Sequence, residues 1–457
     1  MTAAATQDYD RLKDIKQFDD QKIGVKGLVD SGINTIPRFF HHPPETRPAP
    51  TPTSRPDLTI STIDLSAPRA AVIREIHHAS STLGFFQIIN HNFPQSLLHS
   101  LIASIKSFNE QPAELKSPYY HRDPSRGGAA FSTNFDLYQS KAASWRDTLQ
   151  MRLAPTPPNW DFVPDVCREA AAEWDTAVLT LGEELMGLLS EGLGLESGKL
   201  KDLTCLEGRV FVGHYYPYCP EPDLTVGITS HTDPGVLTVL VQNEVGGLQV
   251  KCGEDWVDVD PIPGALVRPF TAFALSEMHV EEHQFGSLSM CHVSPLESRG
   301  SQDVVKVLLD ILHGALPSTL PEFNSDTTRV AAERPDLGSR VYLSPEFNVY
   351  IELQMWWLNS DGDERPPSSA RMDVDIMSND EYKSVEHRVL ANPCPNSRVS
   401  VAVFFNPSNR EDLYGPFPEL LTPEKPAAYR QFPLSDFMRR FFTKELDGKS
   451  LTNYYSL

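Results

Sequence analysis

The chain has 457 residues, 40% hydrophobic and 22% charged, with a formal net charge of −21. At roughly 150 residues per unit that length gives two or three domains and an ample core, while the acidic average repels a phosphate backbone and leaves no nucleic-acid partner expected. The six cysteines (Cys167, Cys205, Cys219, Cys252, Cys291, Cys394) form no CxxC pair, the charged N-terminus lacks a signal-peptide core, and no run reaches the ~20 apolar residues of a membrane span, so reduced thiols, a cytoplasmic or nuclear location and no membrane partner are expected.

Residues 1–57 read as an arm with some helix, closing in the proline-rich linker "HHPPETRPAPTPTSRPD". Residues 58–207 read as a helical region. It opens with a short strand in "TISTIDLS". The helix "PRAAVIREIHHASSTLG" follows, with Pro68 near its first turn and Gly84 past its end, then a strand in "FFQIINH". A longer helix is predicted over 168–192, where Trp174, Val178, Leu181, Leu185 and Leu188 recur on one face as packing residues.

From Gly208 short runs rich in Val, Tyr and Phe alternate with Gly, Pro, Asn and Asp: "RVFVGHYYP", "TVGITSHTD", "VLTVLVQ", "GLQVK", "DWVDVDP" and, far downstream, "SVEHRVL" and "RVSVAVFFNP". Such spacing predicts a sandwich or barrel rather than βαβ units. The rhythm holds over 208–267 and again over 376–457. Between them 268–375 reads as a long irregular insertion, with a helical stretch "DVVKVLLDILHG" and polar, proline-bearing loops.

In "HTDPGVLTVL" His231 and Asp233 stand two apart, on one side of a strand. Two histidines and a carboxylate on one face are the ligand pattern of non-haem Fe(II) oxygenases. Alone, the pair also fits a strand end with Asp233-Pro234-Gly235 turn chemistry. His387, inside the alternating "SVEHRVL", is the best third ligand, with His313 as a fallback. In "RVSVAVFF" period two puts Arg398, Ser400, Ala402 and Phe404 on one face. A guanidinium facing a core needs an anion, and a hydroxyl two residues on shares it; alone, Arg398 would read as a solvent-facing strand arginine. A competing motif, "HVEEH" (His279 to His283), fits the inverted zinc-peptidase pattern with Glu282 as base, but little helical length surrounds it, and a charged loop explains it equally.

"HTD", "EHRV" and "RVS" together resemble the plant 2-oxoglutarate and Fe(II)-dependent dioxygenases. "GVKGLVDSGINTIPRFF", "FDLYQSKAASWRDTL" and "GHYYPYCPEPDLTVGITSHTDPGVLTVLVQNEVGGLQV" resemble the branch called 1-aminocyclopropane-1-carboxylate oxidase homologues. The resemblance covers about 9–267 and 376–450. It implies a mainly β chain with α elements: a double-stranded β-helix (jelly-roll) core, an N-terminal helical region and the insertion. It further implies His231, Asp233 and His387 as iron ligands, and Arg398, Ser400 and Tyr216 on the 2-oxoglutarate cosubstrate. Phe404, with Phe131 and Phe135, would line a pocket for a small-molecule substrate, a specialised metabolite or hormone that is hydroxylated or desaturated with release of succinate and CO2. O2 and ascorbate as reductant complete the cofactor set, and a monomer is expected.

One departure stands out. His387 lies beyond the insertion, and the strand that relatives run from "GALV" into is not recognisable here. Either another segment replaces it, with "FNVYIELQMWW" (347–357) the best alternating candidate, or the core lacks a strand and exposes backbone groups at a cost. The alternative function follows from that: a non-catalytic relic whose triad the insertion keeps apart.

Overall fold

The computed structural model describes residues 9–48, 59–123, 126–233, 236–253, 255–269, 340–342, 350–352, 374–408, 412–433, 436 and 455–457. "HVEEH", "DVVKVLLDILHG", His313, Cys291 and the linker beyond residue 48 lie outside them. The chain divides into two compact units, Met1–His279 with Ser368–Leu457, and Val280–Pro367.

The first unit opens with helix α1 (Arg11–Gln21), whose N-cap Asp10 accepts from the Lys13 amide at 3.1 Å. Helix α2 (Gly24–Asp30) ends its first turn on a buried carboxylate: Asp147 accepts from the amides of Val25 and Lys26, both at 2.8 Å. Negative charge there satisfies orphan N–H groups and complements the helix dipole. Gly24 has φ +70°, and a Cβ on it would stand 2.6 Å from the Asp147 carboxylate oxygens, so only glycine permits the approach. Phe18, Phe39, Phe40 and Trp145 complete this seam in edge and tilted ring contacts.

The next elements are β1 (Ser61–Asp64), α3 (Arg69–Thr82), β2 (Phe85–Ile89), α4 (Gln95–Asn109), the short α5 (Ala113–Lys116), β3 (Ala129–Ser132), β4 (Asp147–Ala154) and α6 (Asp165–Gly192). The long helix starts three residues before the predicted 168, because Pro164 sets its entry, and it buries Trp174, Val178, Leu181, Leu185 and Leu188 as the apolar stripe requires.

The β region supplies β5 (Gly208–Tyr216), β6 (Val226–His231), β7 (Leu237–Gln242), β8 (Leu248–Cys252), β9 (Asp255–Asp258) and β10 (Leu266–Pro269), then, after the second unit, β13 (His387–Leu390) and β14 (Arg398–Asn406). Among the described residues one sheet runs β1-β2-β10-β7-β14-β5-β4-β3 and a second runs β6-β13-β8-β9. The large sheet has two differently used faces. Val399, Val401, Val403 and Phe405 of β14 pack on the helices, while Phe85, Tyr216, Ile228, Val250, Val267 and Val389 form an apolar cluster lined by strands of both sheets. This is the jelly-roll arrangement with helices on one outer face.

The strand that was not recognisable in the sequence is present. β10 pairs antiparallel with β2 through Leu266–Pro269 and with β7 at Val267, so "GALVRP" itself supplies the strand, and Arg268 and Pro269 belong to the sheet rather than to an insertion. Of the proposed substitute at 347–357, residues 347–349 and 353–357 lie outside the described residues. Within it β12 (Tyr350–Glu352) pairs with β11 (Arg340–Tyr342), and these two strands are the described part of the second unit.

Where the chain returns it is clamped to the helical layer. The Lys383 amide donates to the Ser80 carbonyl at 2.9 Å, and the Tyr382 hydroxyl donates to the Leu189 carbonyl at 3.0 Å. Gly84, at φ +71°, lets the Lys383 carbonyl pass where a Cβ would lie 1.8 Å from its oxygen. No helix among the described residues is long and apolar enough to cross a membrane.

Candidate metal centre

β6 delivers His231 at its last residue, and β13 places His387 directly opposite in antiparallel register. Asp233 follows two residues past His231 and turns back onto both rings. Its Oδ1 is 3.4 Å from His231 Nε2 and 3.2 Å from His387 Nε2, and the two ring centroids are 4.4 Å apart. One ligand atom from each residue falls within 4.8 Å of the others. The insertion therefore does not keep the triad apart, and the relic reading loses its premise: β13 pairs with β6 and β8 within the first unit.

Each imidazole is held by its other nitrogen. His231 Nδ1 lies 2.7 Å from the Thr229 carbonyl and His387 Nδ1 lies 3.2 Å from the Val385 carbonyl. A carbonyl can only accept, so both Nδ1 atoms carry the proton and both Nε2 lone pairs point at the shared space, as metal-ligating histidines require. Burial disfavours charge on all three groups. At His387 the Asp233 carboxylate overcomes that cost and raises the pKa, whereas at His231 burial prevails and lowers it. Against its own desolvation, the imidazoles hold Asp233 well below the usual carboxylate range. Two neutral-capable Nε2 donors and a persistent carboxylate suit Fe(II).

A second polar group lies on the large sheet, on the face whose Tyr216 joins the apolar cluster lined by both sheets. Arg398 is 1% exposed, donates to Gln242 Oε1 at 2.8 Å and to Ser400 Oγ at 3.1 Å, and stands 5.0 Å from the centroid of the Tyr216 ring. Its Nε is buried with no hydrogen-bond partner. Tyr216 is the register partner of Arg398 on β5, and Gln242 is that of Ser400 on β7. A buried guanidinium with spare donor capacity and a neighbouring hydroxyl is the chemistry of a carboxylate receptor. Gln242 was not anticipated; its signal was a polar residue in phase with the inward positions of "VLTVLVQ".

Phe404 shares the Arg398 face, paired with Val210 and Thr238. Phe131 does not. Its register runs Phe131–Leu149–Gly213–Val401, the helix-packed side, where it meets Phe108 edge-on at 5.3 Å and Tyr120 at 5.5 Å. Alternation along β3 turns it away from Ser400, so it is a core residue and not part of a substrate pocket. Phe135 lies in the loop beyond β3 and is 44% exposed.

Residues 60–166 match the family model described as non-haem dioxygenase in morphine synthesis N-terminal, and 208–275 match the 2OG-Fe(II) oxygenase superfamily. The chain is 35% identical to 1-aminocyclopropane-1-carboxylate oxidase homolog 1 of Arabidopsis thaliana, over 96% of this chain and 95% of that one. It is 36% identical to homolog 4 of the same organism, over 97% and 98%. Among solved structures its fold is similar to JOX2 in complex with 2OG, Fe and JA (TM-score 0.64, 22% identity, 95% of this chain and 97% of that one). It is also similar to the dioxygenase for auxin oxidation in rice (TM-score 0.55, 20% identity, 87% and 100%).

Proposed function

Since this chain belongs to the 2-oxoglutarate and Fe(II)-dependent oxygenase superfamily, in its 1-aminocyclopropane-1-carboxylate oxidase homologue branch, and is an oxygenase, we propose that it oxidises a small specialised metabolite or hormone with release of succinate and CO2. The observation that carries the reading is the convergence of His231, Asp233 and His387 in a chain that also buries Arg398 with Ser400 and Gln242. His231, Asp233 and His387 would hold Fe(II). When bound, the metal supplies O2 activation coupled to decarboxylation of 2-oxoglutarate, with ascorbate keeping it reduced.

The remaining work falls to the chain's own residues. Arg398, aimed by Gln242 Oε1 and shared with Ser400 Oγ, neutralises the distal carboxylate of the cosubstrate, and Tyr216 adds a hydroxyl beside it. Val250, Val389 and Phe85 keep water from the inner face, which strengthens each electrostatic contact there. Phe404, on that face, borders the substrate; Phe135 sits at the rim. One neighbour named above is described in complex with JA and the other as a dioxygenase for auxin oxidation, which supports a small organic substrate for this chain. Free buried thiols at Cys167, Cys205 and Cys219 support a reducing compartment, cytoplasm or nucleus, and we read the chain as a monomer.

Anaerobic addition of Fe(II) and 2-oxoglutarate to the purified chain should give the weak visible band of the chelate. Asp233→Ala and His387→Ala should abolish it. Arg398→Gln should keep Fe(II) affinity but need far more 2-oxoglutarate: losing a buried charge-assisted pair costs on the order of 2–5 kcal/mol, tens- to thousands-fold. An unchanged band in His387→Ala removes the triad assignment, and equal weakening of metal and cosubstrate in Arg398→Gln makes that arginine structural.

A further inference from the structure

The inner face carries a second guanidinium that the reaction above leaves unused. In "WRD" (145–147) the flanking residues are committed to the N-terminal arm: Trp145 packs on Phe40 at 4.9 Å, and Asp147 binds the amides of α2. Arg146 lies between them and faces the other way. Asp147 is opposite Tyr215 and Thr148 is opposite His214, so alternation puts Arg146 with Thr148, His214 and Tyr216, on the face that carries Arg398 and Ser400. The Thr148 hydroxyl, 3.1 Å from His214 Nδ1, confirms which side that is.

Arg146 is 5% exposed, and its Nε and Nη1 are buried without a hydrogen-bond partner. Among the described residues it makes no ion pair; Asp136, the acid whose charge it feels, is not within bridging distance. His214 offers no compensation, since burial and both guanidiniums keep it neutral. Burying an unsatisfied guanidinium is costly unless something anionic arrives to meet it. The dicarboxylate cosubstrate is fully used by the metal and Arg398. Arg146 sits across β5 from Arg398, two strand spacings or about 10 Å away along the backbones, so it enters the inner face from a different strand than the cosubstrate's arginine.

We propose that Arg146 anchors a carboxylate on the primary substrate, so that the chain selects organic acids over their neutral esters. The inference rests on the oxygenase reading and deepens it to a substrate class.

The test uses the full chain loaded with Zn(II) and 2-oxoglutarate, and saturation-transfer NMR with two matched probes: phenylacetate and indole-3-acetate, each beside its methyl ester. The acids should bind at least ~10-fold tighter than the esters, the discrimination a site built for a polar group gives against an analogue lacking it. Arg146→Met should erase that preference, and Arg146→Lys should keep part of it. Equal binding of acid and ester to the wild-type chain, or no binding of either acid, overturns the proposal. So does an Arg146→Met variant that weakens 2-oxoglutarate as much as Arg398→Gln does, because Arg146 would then serve the cosubstrate. Absence of the Fe(II) chelate band in the wild type is a separate result, which removes the oxygenase reading and this inference with it.

Discussion

His42 stands 2% exposed at the end of the N-terminal arm, its Nε2 3.2 Å from the Ala143 carbonyl and its amide bonded to the Leu224 carbonyl. Burial lowers its pKa to about 4. Above pH 6.5 the imidazole is neutral whether the chain is folded or not and contributes nothing to pH dependence. Between 6.5 and 4 the unfolded chain takes up a proton that the folded one refuses, so stability falls as pH falls, by on the order of 3 kcal/mol at the lower end. His42→Gln keeps a donor for Ala143 without the titration. Its melting temperature should vary less than the wild type's across that window; parallel curves would show that His42 is not the group responsible. The same scale explains what reading one residue type at a time misses. His231, Asp233, His387 and Arg398 each had a bland alternative, and only their joint presence pointed to chemistry. Arg146 had no motif at all: its meaning comes from the commitments of Trp145 and Asp147 on either side.

Among elements, α3 and the returning segment before β13 make the contact on which the centre depends. Ser80, Gly84 and Leu189 receive Lys383 and Tyr382, which fixes the approach of His387 toward β6. Gly84→Ala puts a Cβ into the Lys383 carbonyl and a side chain at positive φ. The φ penalty alone is about 1 kcal/mol, and the displaced strand adds to it, so a loss of at least ~2 kcal/mol is expected in urea unfolding of the metal-free chain. The variant should also hold Fe(II) less tightly. Wild-type stability would mean that the segment docks differently. Strand alternation was legible for β14 and for β6, because one face of each is apolar and period two leaves little choice. It misled at β3, where Phe131 looked suitable for a pocket. An aromatic residue in a short strand carries no sign of which layer it faces, and the register with β4 and β5 decided for the helices.

For the whole molecule the candidate centre belongs to one unit: His231, Asp233, His387 and Arg398 all lie in Met1–His279 with Ser368–Leu457. Replacing residues 280–367 by a short Gly/Ser linker should therefore leave the 2-oxoglutarate requirement of the chelate band within about threefold, since loop-closure entropy changes only slowly with length. Loss of the band would show that Val280–Pro367 is needed to hold β13 in place. A deletion begun at 268, as the pattern alone suggested, should instead abolish it, because it removes half of β10. The sequence by itself indicated a sandwich or barrel, the long packing helix, a candidate set of metal ligands and the inward row on β14, and the resemblance narrowed the first to a jelly-roll. The helix and the inward row are written in local periodicity, and the candidate ligands in residue types that point to one chemistry when taken together. Only the tertiary structure decided that "LVRP" completes the sheet, that Gln242 aims Arg398, that Phe131 is core and that Arg146 is left without an anion. Those depend on which strands become neighbours, and strand pairing joins residues far apart in the chain through backbone hydrogen bonds that carry no side-chain signature.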